Sequence, residues 1–366
     1  TSDEWIRDRT GIRQRHIAGE REYTVDLAEK AARNAIEAAG VSVEDIDLVI
    51  VATTTPDRVF PSTACLLQQR LDIHGCAAFD VQAVCTGFIY ALGVADQFFK
   101  AGTSKCALVV GAETLSRILD WTDRNTCVLF GDGAGAAVVE QVPARSSQRI
   151  LSSYLSSDGN LSKLLHIPAG GSNLEVTPER YAQNLHKMHM SGRELFKVAV
   201  RTLTECALRT LEKLHMPTLK LDWFVPHQAN LRIIEAVASR VGLPMDKVII
   251  NLDRYGNTSA ASIPIALTGV ERDGGLKPGQ IVVLVGFGAA ALIARIGTPA
   301  SRIQVDMSIV PKSCIRAVPI VARSGLQPIV RTRVMISSTP SSGNICPTNC
   351  WQVPAKSSSK AFMNPF

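Results

Sequence analysis

Short apolar runs alternate with longer stretches of helical spacing along most of the chain, the order expected of buried strands covered by helices. The first half reads Asp47-Leu48-Val49-Ile50, a helix, the strand Ala77–Val81, a helix to Gly102 and the strand Ala107–Gly111. The second half repeats that order with Asp222–Val225, a helix from Asn230, the strand Val248–Ile250 leading to Asn257, a helix and the strand Ile281–Gly286. Asp222, Asn257 and Gly286 lie 175, 172 and 175 residues after Asp47, Cys85 and Gly111, so one register fits all three pairs. A repeat this long is not a solenoid unit; it predicts an α/β duplication with pseudo-twofold symmetry, spanning 1–145 and 146–296. In that register Cys85 and Asn257 are expected at equivalent strand-to-helix corners.

The corners carry the candidate chemistry. Ala83-Val84-Cys85-Thr86-Gly87-Phe88 sets a thiol where a strand gives way to a small-residue helix, and a helix start favours the reactive thiolate. A single cysteine is more often a small buried hydrophobe. Here Gly87 lets a substrate approach the backbone, and the strand aims the thiol at a sheet end, where α/β proteins bind ligands. His227 follows Pro226 at the end of an apolar strand, on a loop, where functional residues concentrate. Asn257 sits in Tyr255-Gly256-Asn257-Thr258-Ser259-Ala260, whose Gly-Asn pair by itself marks only a turn. Its weight comes from the other two, and Cys, His and Asn are a candidate catalytic set.

These segments, with Thr1-Ser2-Asp3-Glu4-Trp5-Ile6, Arg9-Thr10-Gly11-Ile12, Trp121-Thr122-Asp123-Arg124 and Gly131-Asp132-Gly133-Ala134-Gly135, resemble the thiolase superfamily. Within it they are similar to the β-ketoacyl-acyl-carrier-protein synthase III enzymes that start bacterial fatty-acid synthesis. The resemblance runs from Thr1 to about Gly288 and implies a five-layered αβαβα fold. It further implies that an acyl-CoA acylates Cys85, that malonyl-acyl-carrier protein then loses CO₂, and that the enolate attacks the acyl-Cys85, with His227 and Asn257 donating to the enolate oxygen. The Cys-His-Asn choice argues against elongating synthases, which use Cys with two histidines. Acyl-CoA is a substrate, and the resemblance implies no cofactor and no metal.

Carried over residue by residue, Trp5 and Arg124 match the sandwich around the CoA adenine, and Arg9, Thr10, Gly192, Phe196 and Asn230 match the rest of the CoA and pantetheine tunnel. Arg232 matches a basic contact to the acidic carrier, with Lys197 and Arg240 as neighbours. Phe60, Phe88 and Leu115 match the acyl-pocket wall, Phe60 reaching into the partner of a homodimer. The backbone N–H groups of Cys85 and Ala289 fall at the oxyanion-hole positions, although the family has a glycine where this chain has Ala289. Two other readings fit the same residues: another condensing enzyme of the superfamily from secondary metabolism, and a non-catalytic acyl-binding remnant.

Other motifs carry less. Gly131–Gly135 runs into the strand-like Ala136–Val139 and not into a helix, so it reads as a turn and not a dinucleotide loop. His186 and His189 lack the spacing and carboxylates of a zinc site, and Cys346 and Cys350 have no second pair of ligands nearby.

The formal charge of +6 suggests nucleic-acid binding until it is divided. Residues 297–366 hold eight of the 39 Lys and Arg but one of the 33 Asp and Glu, which leaves the body at 31 basic and 32 acidic groups. That neutral body implies no nucleic-acid partner. The last stretch, with 8 of the 18 prolines and no sustained period, is expected to be largely irregular. Chemistry apart, the uncharged run Ile281–Ala294 is too short for a membrane span of about 20 residues. No signal peptide is visible, and unpaired cysteines suit a reducing cytoplasm. The chain begins inside the family's Thr-Ser-Asp-Glu-Trp motif, so the family's first strand is expected to be missing. Beyond Gly288 nothing matches, as a displaced reading frame or a divergent terminus would explain.

Overall fold

The structure, a computed structural model, describes residues 2–143, 146–287, 290–295 and 302–306. Helices α1 (Asp3–Thr10) and α2 (Thr24–Ala39) are followed by β1 (Leu48–Ala52), α3 (Thr63–Arg70), β2 (Ala77–Val81), α4 (Gly87–Lys100), β3 (Cys106–Glu113) and β4 (Gly133–Val142). The second half contains β5 (Ile150–Leu155), β6 (Leu165–His166), α5 (Pro178–Ala182), β7 (His189–Met190) and α6 (Gly192–Glu212). It continues with β8 (Trp223–Pro226), α7 (Leu231–Val241), α8 (Leu252–Tyr255), α9 (Ser262–Arg272), β9 (Ile281–Gly286) and β10 (Ala290–Arg295). A further strand, β11, spans Arg302–Asp306. The described residues cluster as one compact unit.

Each half builds its sheet alike. β2, β1 and β3 run parallel and β4 antiparallel to β3; β8 and β9 run parallel and β10 antiparallel to β9, with β5 outside β10. The strands β1, β3 and β9 are buried along their whole length, as their unbroken apolar sequences require. Helices α2 and α3 cover one outer face, and α6 and α7 the other. Between the half-sheets lie α4 and α9, packed in a shared core with Leu48, Ile50, Val225 and Leu284. The five layers are the αβαβα arrangement. On α2, Ala28, Ala32, Ala35, Ile36 and Ala39 form the buried stripe, and Gly40 ends the helix with φ +63°.

Two expectations change. Val248–Ile250 forms no strand: Val248 makes one bridge to Phe224. The Gln228 side chain takes the neighbouring backbone groups instead, donating to Ile249 O and accepting from Asn251 N. The glycine run at 131–135 is not simply a turn, because Gly133–Gly135 open β4. A Cβ on Gly135 would come within 2.8 Å of Pro264 and 2.9 Å of the Ile265 N, so the glycines let α9 lie directly on the strand. Within the stretch from 297, expected to be largely irregular, β11 runs parallel to β4 and touches β5 at Val305, joining the two half-sheets. The rest of 297–366, with Cys346 and Cys350, lies outside the described residues.

Candidate active site

Cys85 sits in a tight turn, Val84–Thr86, that feeds α4. Ser259–Ala261 form the same turn ahead of α9, and Val84 and Ser259 share a left-handed φ of +48°. The spacing is again 175 residues. The symmetry mate of Cys85 is therefore Ala260, and Asn257 lies three residues before it, which corrects the expectation of equivalent Cys85 and Asn257 corners. Both turns meet back to back. A Cβ on Gly111, at the end of the first half's β3, would approach Ala260 O to 2.5 Å, and one on Gly286, its counterpart on β9, would approach Cys85 O to 3.3 Å.

That crossing sets the segments that carry His227 and Asn257 beside the Cys85 turn. Val285, next to Gly286, accepts from His227 N at 2.8 Å. Ser262, at the start of α9, lies 2.7 Å from His227 Nδ1, and Gln228 N donates to the same Ser262 hydroxyl at 3.5 Å. A Ser262 hydroxyl that donates to Nδ1 leaves the proton of the neutral imidazole on Nε2. That Nε2 is buried and has no hydrogen-bond partner among the described residues. Burial holds the ring neutral, with its pKa down at about 3. Asn257 is fixed by its own backbone, N donating to Leu129 O and O accepting from Gly131 N, while its Oδ1 accepts from Ser259 N at 2.9 Å. The amide NH₂ is left to donate elsewhere.

The thiol departs from expectation. Burial pushes Cys85 up to about 12; the Ser259 side chain pulls the other way and the Glu113 carboxyl adds to the rise. Desolvation outweighs the helix start, and the resting residue is a thiol. A cavity of about 750 Å³ opens beside it, lined by Val84, Tyr90, Tyr154, Leu195, Cys206 and Phe287. Phe88 does not reach it: it lies in the middle-layer core and borders a separate cavity of about 780 Å³ between α2, β4 and α9. Leu115 packs with Leu119, Phe130 and Met188 in a small cluster, and Phe130 bridges Asn257. Phe60 is 83% exposed, on the loop between β1 and α3.

The residues matched to the CoA tunnel gather around α1 and the starts of α6 and α7. Arg124 stacks 4.5 Å from the Trp5 ring and Arg9 5.1 Å from it. Asn230 caps α7 and donates through Nδ2 to Arg9 O, and Arg232 donates to Asp8 O. Thr10 is buried, its hydroxyl donating to Ile6 O. Gly192 opens α6 and Phe196 lies one turn on, partly exposed. Lys197, Arg232 and Arg240 are exposed on α6 and α7, which pack together. Ala289 lies outside the described residues.

Sequence reasoning did not single out Glu113, Ser259 or Ser262. A carboxylate ending the otherwise uncharged strand Cys106–Ala112, and two serines close behind Asn257, were the available signals.

The family models for 3-oxoacyl-[acyl-carrier-protein] synthase III match residues 79–159 and, for its C-terminal part, 211–296. The chain is 60% identical over 291 residues to the β-ketoacyl-[acyl-carrier-protein] synthase III of Thioalkalivibrio sulfidiphilus, covering 79% of this chain and 88% of that protein. It belongs to the β-ketoacyl-acyl-carrier-protein synthase III family. Solved synthase III structures superpose accordingly: that from Aquifex aeolicus with a TM-score of 0.73 at 46% identity, over 81% of this chain and 91% of that one, and that from Thermus thermophilus with 0.75 at 45%, over 81% and 92%. As a synthase III family member the chain is a condensing acyltransferase of thiolase fold. Among the described residues no helix is long and apolar enough to cross a membrane.

Proposed function

We propose that the chain condenses an acyl-CoA primer with malonyl-acyl-carrier protein, the step that initiates fatty-acid synthesis, and that Cys85, His227 and Asn257 carry it. The Cys85 sulfur attacks the thioester carbonyl, CoA leaves as the thiol with the proton from Cys85, and an acyl-cysteine remains. The malonyl group then releases CO₂. Its enolate carbon attacks the acyl carbonyl, a C–C bond forms, and the Cys85 sulfur leaves from the β-ketoacyl product. Charge on the enolate oxygen exists only during this half-reaction, so donors placed beforehand act on the barrier itself. The observation that carries the assignment is the pair of fixed donors. His227 is buried and neutral, with Nδ1 tied to Ser262 and Nε2 unpartnered, and Asn257 has its oxygen tied to Ser259 N.

The binding roles follow the same reading. A CoA adenine stacks on Trp5, where the Arg124 guanidinium now lies 4.5 Å away; the two cannot hold a ring between them until Arg124 lifts. Lys197, Arg232 and Arg240 offer an exposed basic surface to an acidic carrier. Val59 and Phe60, 96% and 83% exposed, suit a second copy of the chain in a homodimer. Incubation with a series of acyl-CoAs, read by intact mass spectrometry, should give one acyl addition that Cys85→Ser abolishes. An adduct that survives in that variant, or maps to Cys65, Cys76 or Cys106, would refute the assignment.

A further inference from the structure

Glu113 is a carboxyl at the innermost end of a strand with no surface outlet. It is fully buried, and no basic side chain pairs with it among the described ion pairs. One oxygen is well satisfied: Oε2 accepts from Thr54 N at 3.0 Å, from the Thr55 hydroxyl at 2.8 Å and more weakly from Thr53 at 3.4 Å. The other, Oε1, is buried with no well-formed hydrogen bond among the described residues, although the Ser259 side chain and the Ala260 N–H are both drawn to the carboxyl. Beside it stands Ser259, whose hydroxyl is likewise buried and makes no well-formed hydrogen bond among the described residues but interacts with both Glu113 and the Cys85 thiol. Ser259 is held there by a left-handed backbone, φ +48°, and by its N–H on Asn257. Such strain in a non-glycine residue persists where the surrounding structure imposes it, commonly at functional sites.

We propose that Glu113 is a positioning residue for the nucleophile: as a neutral carboxylic acid it donates through Oε1 to Ser259 Oγ, so that the Ser259 hydroxyl turns its own proton onto Cys85 Sγ. Two orphaned atoms become one directed chain, Glu113 to Ser259 to Cys85, ending on the sulfur whose negative charge must be carried when it attacks. No proton changes owner along it. Burial supports the neutral form, since it drives the Glu113 carboxyl upward against the interactions with Thr54 N, the Thr55 and Ser259 hydroxyls and Ala260 N. An ionised Glu113 would oppose the thiolate. The other titratable group drawn to this place is His227, itself neutral. The inference rests on Cys85 being the nucleophile, and the Cys85→Ser acylation test fails or succeeds separately.

The test is alkylation of Cys85 by iodoacetamide between pH 7 and 9.5, followed by intact mass and peptide mapping, in Glu113→Gln, Glu113→Met, Ser259→Ala and the Glu113→Met/Ser259→Ala double variant. Glutamine keeps the acceptor for the threonines and offers an N–H to Ser259, so its rate should stay within about twofold of the parent. Glu113→Met and Ser259→Ala should each slow alkylation about tenfold and displace the pH–rate line upward by about one unit, the size of one hydrogen bond to a charged group. The double variant should be no slower than either single one, since both cut the same chain. A Glu113→Gln protein that reacts about tenfold faster means an ionised, repelling carboxylate and overturns the proposal. An unchanged rate in Ser259→Ala, or multiplying losses in the double variant, overturns it too. If Glu113→Met does not fold, Glu113→Gln and Ser259→Ala decide together: retention in the first and loss in the second are both required.

Discussion

Replacing Asn257 by Asp separates a donor role from a merely structural one. Asn257 has one amide oxygen on Ser259 N and its NH₂ left to donate. Alanine removes that donor, and losing one preorganised oxyanion donor typically costs about 2.7–4 kcal/mol, or roughly 10²–10³ in rate. Aspartate keeps the bond from Ser259 N but points its second oxygen where the NH₂ was. Ionised, it would stand about 3 Å from the enolate oxygen, and at an effective dielectric of about 20 the repulsion is about 5 kcal/mol. At pH 8 the aspartate variant should therefore be worse than alanine. The position is 5% exposed, however, and burial favours the neutral acid, whose O–H can donate. As the pH falls the aspartate variant should recover by up to about tenfold per unit, while Asn257→Ala stays flat relative to the parent. The assay is ¹⁴CO₂ release from labelled malonyl-acyl-carrier protein, with acyl-enzyme formation followed in parallel by mass; acylation should be spared in both. Wild-type decarboxylation in Asn257→Ala, or the same flat profile in both variants, refutes the donor assignment.

His227 has a folded pKa of about 3 against 6.5 when exposed, so between those values the unfolded chain binds the extra proton. The stability it contributes is full above pH 6.5 and falls as the pH drops towards 3, by about 1.4 kcal/mol per unit. His227→Gln should flatten that part of a urea-midpoint series from pH 7 to 5, and an unchanged slope would mean the imidazole is not held neutral. Gly111→Ala should destabilise more than Gly286→Ala, because its methyl group meets Ala260 O at 2.5 Å, whereas the nearest atom to that on Gly286 is the Thr86 Cγ2 at 2.9 Å. Thermal melts that ranked the two in the opposite order would count against the crossing described here. Arg232→Glu should weaken use of the acidic carrier and spare acylation from CoA, with an effect that shrinks as salt is added. Equal losses with both substrates would put Arg232 in the CoA tunnel.

What the sequence discloses follows from how local each determinant is. The strand Ile281–Gly286 matches its apolar run because a continuous hydrophobic segment is its own signal, and Ala77–Val81 is apolar except for Asp80. Val248–Ile250 looks no different, yet an amide from Gln228, some twenty residues earlier, takes the groups its ladder would need. Gly133 and Gly135 have turn composition but serve the approach of α9, a contact that exists only after folding. The same division runs through the site. Motifs locate Cys85, His227 and Asn257, whereas the protonation of the thiol depends on burial, and Glu113, Ser259 and Ser262 matter through their neighbours in space. A helix start argues for a thiolate only while the residue remains wet.

The duplication explains why the chemistry is one-sided. Both halves build the same elbow, with a left-handed residue, a tight turn and a helix entering the middle layer, and both clear space for the other's elbow with a glycine on the adjoining strand. Two equivalent elbows this close could offer two nucleophiles, but the second has Ala260 where the first has Cys85. What the second elbow contributes is its flanks. Asn257 precedes it, Ser259 opens it, and Ser262 follows it to hold His227. Because the elbows meet back to back, the Ser259 side chain faces the opposite half's sulfur, while Asn257 is tied to the Ser259 N–H and Ser262 to His227. In the proposed mechanism one copy supplies the bond-making atom and the other the fixed dipoles. That arrangement needs the close approach at Gly111 and Gly286, so the packing of the middle layer and the geometry of the reaction depend on the same two glycines.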